Sequence, residues 1–217
     1  MRKALLIGAS GFVGGYLLDL LLNDPDYESV LVVARKEMTL THPKLHVIIG
    51  TFNSVIGMKD EFIATDVYVA TGTTHLTTWR LGPYYQTHLD YPVRIAKLAR
   101  ENGATSVAFI SALTARRKSL IIYIRAKGNL EREMIALNYK HTHIFRPCLL
   151  QGRESEFRIG ECIANLIWSA TEWLFTGSFK KYRSLEGEEL ACAMVNGVKS
   201  PTEKVRFYYW EDMMALQ

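Results

Sequence analysis

Tyr123 and Lys127 are the residues of this 217-residue chain best suited by type and spacing to move a proton. The run Tyr123-Ile124-Arg125-Ala126-Lys127 sets a phenol and an amine four residues apart, on one face if the segment is helical. A neighbouring cation favours the phenolate and brings a tyrosine toward the range where it trades a proton with a carbonyl or an alcohol. Ser111, closing an apolar run twelve residues earlier, offers a hydroxyl to bind and orient the same substrate oxygen. With eleven tyrosines and twelve lysines, chance supplies about 0.6 such pairs in a chain of this length, so the spacing alone decides little. Location carries the weight: this is the sole Tyr-x-x-x-Lys pair, and it follows a predicted strand that ends in serine.

The amino terminus provides a cradle for a dinucleotide. Lys3-Ala4-Leu5-Leu6-Ile7 is apolar and runs into Gly8, Gly11 and Gly14, spaced G-x-x-G-x-x-G, before the leucine-rich stretch Tyr16 to Leu22. Strand, tight turn and helix start in that order place unpaired N–H donors and a partial positive charge against a dinucleotide pyrophosphate. Gly8, Ser10, Gly11, Phe12, Val13 and Gly14 are the expected contacts. After the second apolar run stands Arg35-Lys36, about 20 residues beyond the turn, where an acid would select the ribose hydroxyl of NAD. A basic pair selects the 2′-phosphate, so NADP(H) is the expected cofactor, with NAD(H) the alternative. Thr71, Gly72 and Thr73, at the end of the fourth run, are small enough to pass close to the same ligand.

These residues require a frame, and the apolar pattern supplies it. Strands are predicted at 4–8, 30–34, 46–49, 67–70, 107–111, 143–145 and 205–209, and helices at 13–22, 89–102, 120–138, 160–174 and 187–198. Near-continuous apolar strands suit a parallel sheet covered on both faces, and β–α alternation implies right-handed crossovers. Residues 52–62 offer only a turn or two of helix. The fold class is therefore α/β, a doubly wound parallel sheet in a single domain over 1–217, with 148–217 expected to form a substrate-side lobe.

Composition bounds the remainder. A net charge of +4 with scattered cations, Arg116-Arg117-Lys118 being the longest run, does not indicate a nucleic-acid surface. Three separated cysteines, Cys148, Cys162 and Cys192, read as buried apolar residues of a reducing compartment, and no pair is spaced as a metal clip. No signal peptide is expected ahead of the first strand, and the apolar stretch 159–179 is broken by Glu161 and Glu172, so no membrane span is expected. The expected location is cytoplasmic. His141 and His143 lack partners at metal-ligand spacing, and Glu154 and Glu156 sit beside Arg153 and Arg158, where ion pairs are the default. No metal site is expected; the partner is a small-molecule substrate, and a homodimer is left open.

In order along the chain, Gly8-Ala9-Ser10-Gly11-Phe12-Val13-Gly14, Thr71-Gly72-Thr73-Thr74, Leu89-Asp90-Tyr91-Pro92, Phe109-Ile110-Ser111-Ala112-Leu113, Tyr123 to Glu131 and Phe145-Arg146-Pro147 resemble the short-chain dehydrogenase/reductase superfamily. The likeness is greatest to its atypical NmrA-like and Tat-interacting-protein-like branch. It implies a Rossmann-like sheet, NADP(H), and catalysis by Ser111, Tyr123 and Lys127, with Tyr123 passing the proton and Lys127 also holding the nicotinamide ribose. The chain departs from that pattern at Thr51, where relatives commonly carry aspartate, at Cys148, where glycine usually follows Arg-Pro, and at Ala112, where a second serine is common. Three functions compete: an oxidoreductase acting on a carbonyl or alcohol, a non-catalytic dinucleotide sensor or scaffold, and a nucleotide-sugar epimerase or dehydratase. The intact Tyr-Lys-Ser set favours the first over the second, and the short region after Pro147 weighs against the third.

Overall fold

The computed structural model describes residues 1–50, 54–71, 85–151, 183–200 and 202–217. Seven parallel strands form the main sheet: β1 (Arg2–Ile7), β2 (Tyr27–Ala34), β3 (Leu45–Ile49), β4 (Asp66–Val69), β5 (Ser106–Ile110), β6 (His141–Phe145) and β9 (Val205–Tyr208). Their order across the sheet is β3-β2-β1-β4-β5-β6-β9. Chain direction across the sheet therefore reverses between β1 and β4, which lie in register from Ala4 opposite Asp66 to Ile7 opposite Val69. In such sheets the crevice beyond the strand carboxyl ends at the reversal is where a ligand sits.

Both faces of the sheet are covered, as the unbroken apolar strands require. Ala4 and Leu6 of β1 face one way and pack with Leu17 and Leu21 of α1 (Phe12–Asn23), whereas Leu5 and Ile7 face the other. Opposite α1 lie α2 (Tyr91–Glu101), through Ile95 and Ala99, and α3 (Ile122–Ala136), through Leu130 and Met134. On the α1 side, α4 (Gly187–Lys199) adds Leu190 and Met194, and α5 (Trp210–Met214) adds Met213. Two short 3-10 turns over Ser54–Glu61 stand between β3 and β4, as the brief apolar content of that connection suggested. A single π-helical turn, Gln86–Asp90, leads into α2; the sequence pattern merged the two.

Of the lobe expected at 148–217, residues 152–182 lie outside the described residues. β7 (Leu149–Gln151) pairs in parallel with β8 (Ser184–Glu186) as a small second sheet, but α4 returns to the main core and β9 pairs with β6. Residues 183–217 thus complete the sandwich: the buried face of α4 fills the space beside α1. The helix expected at 160–174 lies outside the described residues. Cys148 is exposed and Cys192 half-buried, so neither is the enclosed apolar residue its type suggested. Cys148 follows Pro147 just past β6, where the chain has already left the sheet.

At the amino ends of the strands a polar knot closes the floor. Arg2 donates twice to the buried carboxylate of Asp66, at 2.6 and 2.8 Å, and the Tyr27 hydroxyl donates to the same carboxylate at 3.0 Å. The Tyr27 and Tyr68 hydroxyls lie 2.7 Å apart, joining β2, β1 and β4. At the other end, a Cβ on Gly14 would fall 1.9 Å from the Gly8 carbonyl oxygen, so α1 seats on the β1 turn only without a side chain there. Gly14→Ala should therefore destabilise by about 3 kcal/mol, the upper part of the overpacking range, and lower the melting temperature by about 6–12 °C in a calorimetric scan.

Candidate active site

Every element end that meets at the β1/β4 reversal contributes to one cleft. Gly8 has φ +96°, a conformation side chains resist, and a Cβ there would stand 2.9 Å from the Ala70 backbone. The Gly11 N–H returns to the Gly8 carbonyl at 3.0 Å, closing the turn. Gly11 caps α1 with no side-chain bond, and the first intrahelical bond runs from the Gly15 N–H to the Gly11 carbonyl. The amides of Phe12, Val13 and Gly14 have no helical acceptor and point to the helix mouth. The residues expected there contribute differently. Ser10 is exposed and Val13 is buried in the core, while the Phe12 ring packs edge-on to Tyr16 and against Gly187. Phe12 and Val13 can thus meet a ligand through backbone, not side chain.

Lys127 reaches the same place from the far side. Its ammonium donates to the Ile110 carbonyl at 2.7 Å and the Thr71 carbonyl at 3.4 Å, at the carboxyl ends of β5 and β4. Only 6 % of Lys127 is exposed, and burial pushes its amine down to about 8 against the opposing pull of Glu131. Beside it the Thr71 hydroxyl is buried with no hydrogen-bond partner among the described residues. A glycine cradle without a cap, an amine held only by backbone carbonyls and a buried hydroxyl lacking a partner suit a dinucleotide lying across the reversal. Tyr123 stands half-buried in the first turn of α3, one helical turn before Lys127. Gly72 and Thr73 lie outside the described residues, as does Thr51.

Arg35 and Lys36 follow β2 and are both exposed. Arg35 is near enough to bear on Tyr91 and His88. His88, on the π-helical turn, was not singled out by the sequence. Burial first, then the positive charges of Lys127 and Arg35, push its imidazole down to about 4. A π-turn in this position was a signal only the backbone could show.

Ser111 stands just past the end of β5 with its hydroxyl already engaged. It is 1 % exposed, and its hydroxyl donates to Glu131 at 2.5 Å. Glu131 lies one turn beyond Lys127 and takes two further bonds from Arg146, at 2.8 and 2.7 Å. Arg146 in turn donates to the Tyr209 hydroxyl at 3.0 Å and lies over the Phe207 ring. A hydroxyl has one proton to give; with that proton on Glu131, Ser111 faces any further partner as an acceptor. One buried carboxylate thus ties α3 to the ends of β5 and β6. Neither Glu131 nor Arg146 was identified as a site residue, although the segments carrying the resemblance contain both.

Comparison with known proteins gives this geometry a family. The model described as "NAD dependent epimerase/dehydratase family" matches residues 4–116, just over half of the chain. The chain belongs to the NAD-dependent epimerase/dehydratase family. That agrees with the likeness to short-chain dehydrogenases/reductases, and the Rossmann-like sheet is the one seen. Among curated relatives, "Protein FMP52, mitochondrial" of Coccidioides immitis is 27% identical over 215 residues, covering 90% of this chain and 85% of its own. Its counterpart in Saccharomyces cerevisiae is 25% identical over 219 residues, covering 98% and 95%. Among solved structures, WbmH of Bordetella bronchiseptica in complex with NAD+ has TM-score 0.72 at 13% identity, covering 96% of this chain and 76% of that one. A short-chain dehydrogenase of Burkholderia cenocepacia in complex with NADP has TM-score 0.70 at 11% identity, covering 99% and 90%. Solved structures of this fold therefore occur with either coenzyme, and the basic pair does not by itself settle the preference. The relatives' names overturn the cytoplasmic expectation and point to the mitochondrion. That expectation rested on separated cysteines and on the expected lack of a signal peptide and of a membrane span, none of which distinguishes one reducing compartment from another. Among the described residues no helix is long and apolar enough to cross a membrane.

The depressed amine of Lys127 has a measurable consequence. Between pH 8 and 10.5 the unfolded lysine is protonated and the folded one is not, so stability contributed at this site rises with pH over that window. Denaturant titrations of the cofactor-free protein should show that rise, by about 2–3 kcal/mol, and Lys127→Met should lack it.

Proposed function

We propose that this protein is an NADP(H)-dependent oxidoreductase acting on a small carbonyl or alcohol substrate, with Tyr123 as the proton donor and acceptor. The observation that carries the reading is Lys127: a buried amine held against the ends of β4 and β5, one turn from Tyr123 and across the reversal from the uncapped glycine turn. The amides at the α1 mouth would hold the pyrophosphate, Arg35 and Lys36 the 2′-phosphate, and Thr71 and Lys127 the ribose. When bound, the nicotinamide supplies or accepts a hydride. Tyr123 passes the matching proton to or from the substrate oxygen, and the charge of Lys127 stabilises the phenolate left behind. Burial concentrates that charge, since no water competes for the ammonium. Ser111 serves through Glu131: it joins the end of β5 to α3 and so fixes where Tyr123 and Lys127 stand.

The dinucleotide sensor remains the alternative of a different class, and the two separate on turnover. NADPH oxidation against aldehydes, ketones and quinones should be detectable, and Tyr123→Phe should lower kcat by about 10²–10⁴-fold with the dissociation constant for NADPH unchanged. Binding of NADPH without turnover on any of these substrates would favour the sensor. Arg35→Ala should weaken NADPH, measured by calorimetry, by about 10-fold while leaving NADH nearly unaffected, because a charge-assisted phosphate contact contributes about 1.5–3 kcal/mol where fully formed and less at an exposed site.

A further inference from the structure

The loop that leads into α3 is fixed in place yet presents apolar side chains to water. Its backbone is pinned at several points. The Arg116 N–H donates to the Ile124 carbonyl at 3.2 Å, the Ser119 N–H to the Arg116 carbonyl at 3.2 Å, and the Ile121 N–H to the Ser119 hydroxyl at 3.1 Å. Arg125 adds a bond to the Ser119 carbonyl at 3.2 Å. The loop also packs so closely on α3 that a Cβ on Gly128 would lie 2.6 Å from the Arg117 nitrogen. Held this way, Leu120 is 94 % exposed and Ile121 57 % exposed. A leucine so open in a well-tied turn, with an aliphatic neighbour beside it, is not explained by packing among the described residues.

The same turn is cationic. Arg116, Arg117 and Lys118 are all exposed and form no ion pair among the described residues. No acidic residue occurs between Glu101 and Glu131, whereas that interval holds Arg116, Arg117, Lys118, Arg125 and Lys127. Two aliphatic side chains projecting beside three cations match one kind of surface, a bilayer with anionic headgroups over an acyl boundary.

We propose that residues 116–121 form a peripheral docking tip for anionic lipid bilayers, with Leu120 and Ile121 entering the headgroup boundary and Arg116, Arg117 and Lys118 contacting lipid phosphates. Tyr123 follows the tip by two residues, so docking brings the mouth of the cleft to the membrane surface. This surface is independent of the hydride-transfer reading and is tested separately.

The full chain, mixed with sucrose-loaded vesicles at about 0.1 M salt, should sediment with phosphatidylcholine containing about 30 mol % phosphatidylglycerol and not with phosphatidylcholine alone. Replacing Arg116, Arg117 and Lys118 together by serine should weaken binding about 100-fold. Leu120→Ser with Ile121→Ser should weaken it at least about 10-fold. All five side chains are exposed, so the variants are expected to keep the parent melting temperature, which is checked alongside. No sedimentation with anionic vesicles overturns the proposal. So does loss in the serine-for-cation variant with none in the Leu120/Ile121 variant, which would mean attraction to any polyanion. Light scattering that shows the Leu120/Ile121 variant to be a monomer, the parent a dimer, and neither bound to vesicles would assign the tip to a second copy of the chain instead.

Discussion

The structure turns on the absence of side chains where β1 ends. Gly8 lies against the backbone of Ala70, and Gly14 against the carbonyl of Gly8, so two strands and the start of a helix converge within contact distance. Because the sheet reverses its order at that spot, the same approach that fuses β1, β4 and α1 also leaves a crevice between them. Helix amides without acceptors border that crevice, and the Thr71 hydroxyl completes its wall. A fold held in this way has its binding site as a by-product of its packing.

Electrostatic strain is gathered on the opposite wall. Lys127 is buried with only carbonyl oxygens for company, and Glu131, one turn away, is shared between Ser111 and Arg146. Replacing one member of such a buried pair is harsher than replacing both, because the remaining charge has lost its compensation. The carboxylate therefore couples the orientation of α3 to β5, β6 and, through Arg146 and Tyr209, the carboxyl-terminal segment. The placement of Tyr123 and Lys127 on α3 thus depends on Glu131 and its partners.

The glycine turn, six of the main strands and the helix bearing Tyr123 and Lys127 were readable from residue order, because local apolar period and turn chemistry fix them. Even the late strand and helix, 205–208 and 187–199, were recognised as elements. What eluded the sequence was where these last elements go. An amphipathic helix does not say which core it joins, and α4 joins that of α1. The partner of Ser111 was hidden for a similar reason: a hydroxyl's single proton is claimed by whichever acceptor the fold delivers, and Glu131 arrives from a segment twenty residues away. His88 gave no periodic signal because it sits on a π-turn, a feature only the backbone shows.

The knot of Arg2, Asp66, Tyr27 and Tyr68 anchors the chain's first residues in the floor of the sheet, while Met1 is 85 % exposed. Floor and mouth are separated by the length of the strands. Any polypeptide joined ahead of Met1, whether a purification handle or a reporter domain, would emerge from the face remote from the cleft. The molecule thus carries a tether point remote from the carboxyl ends of its strands.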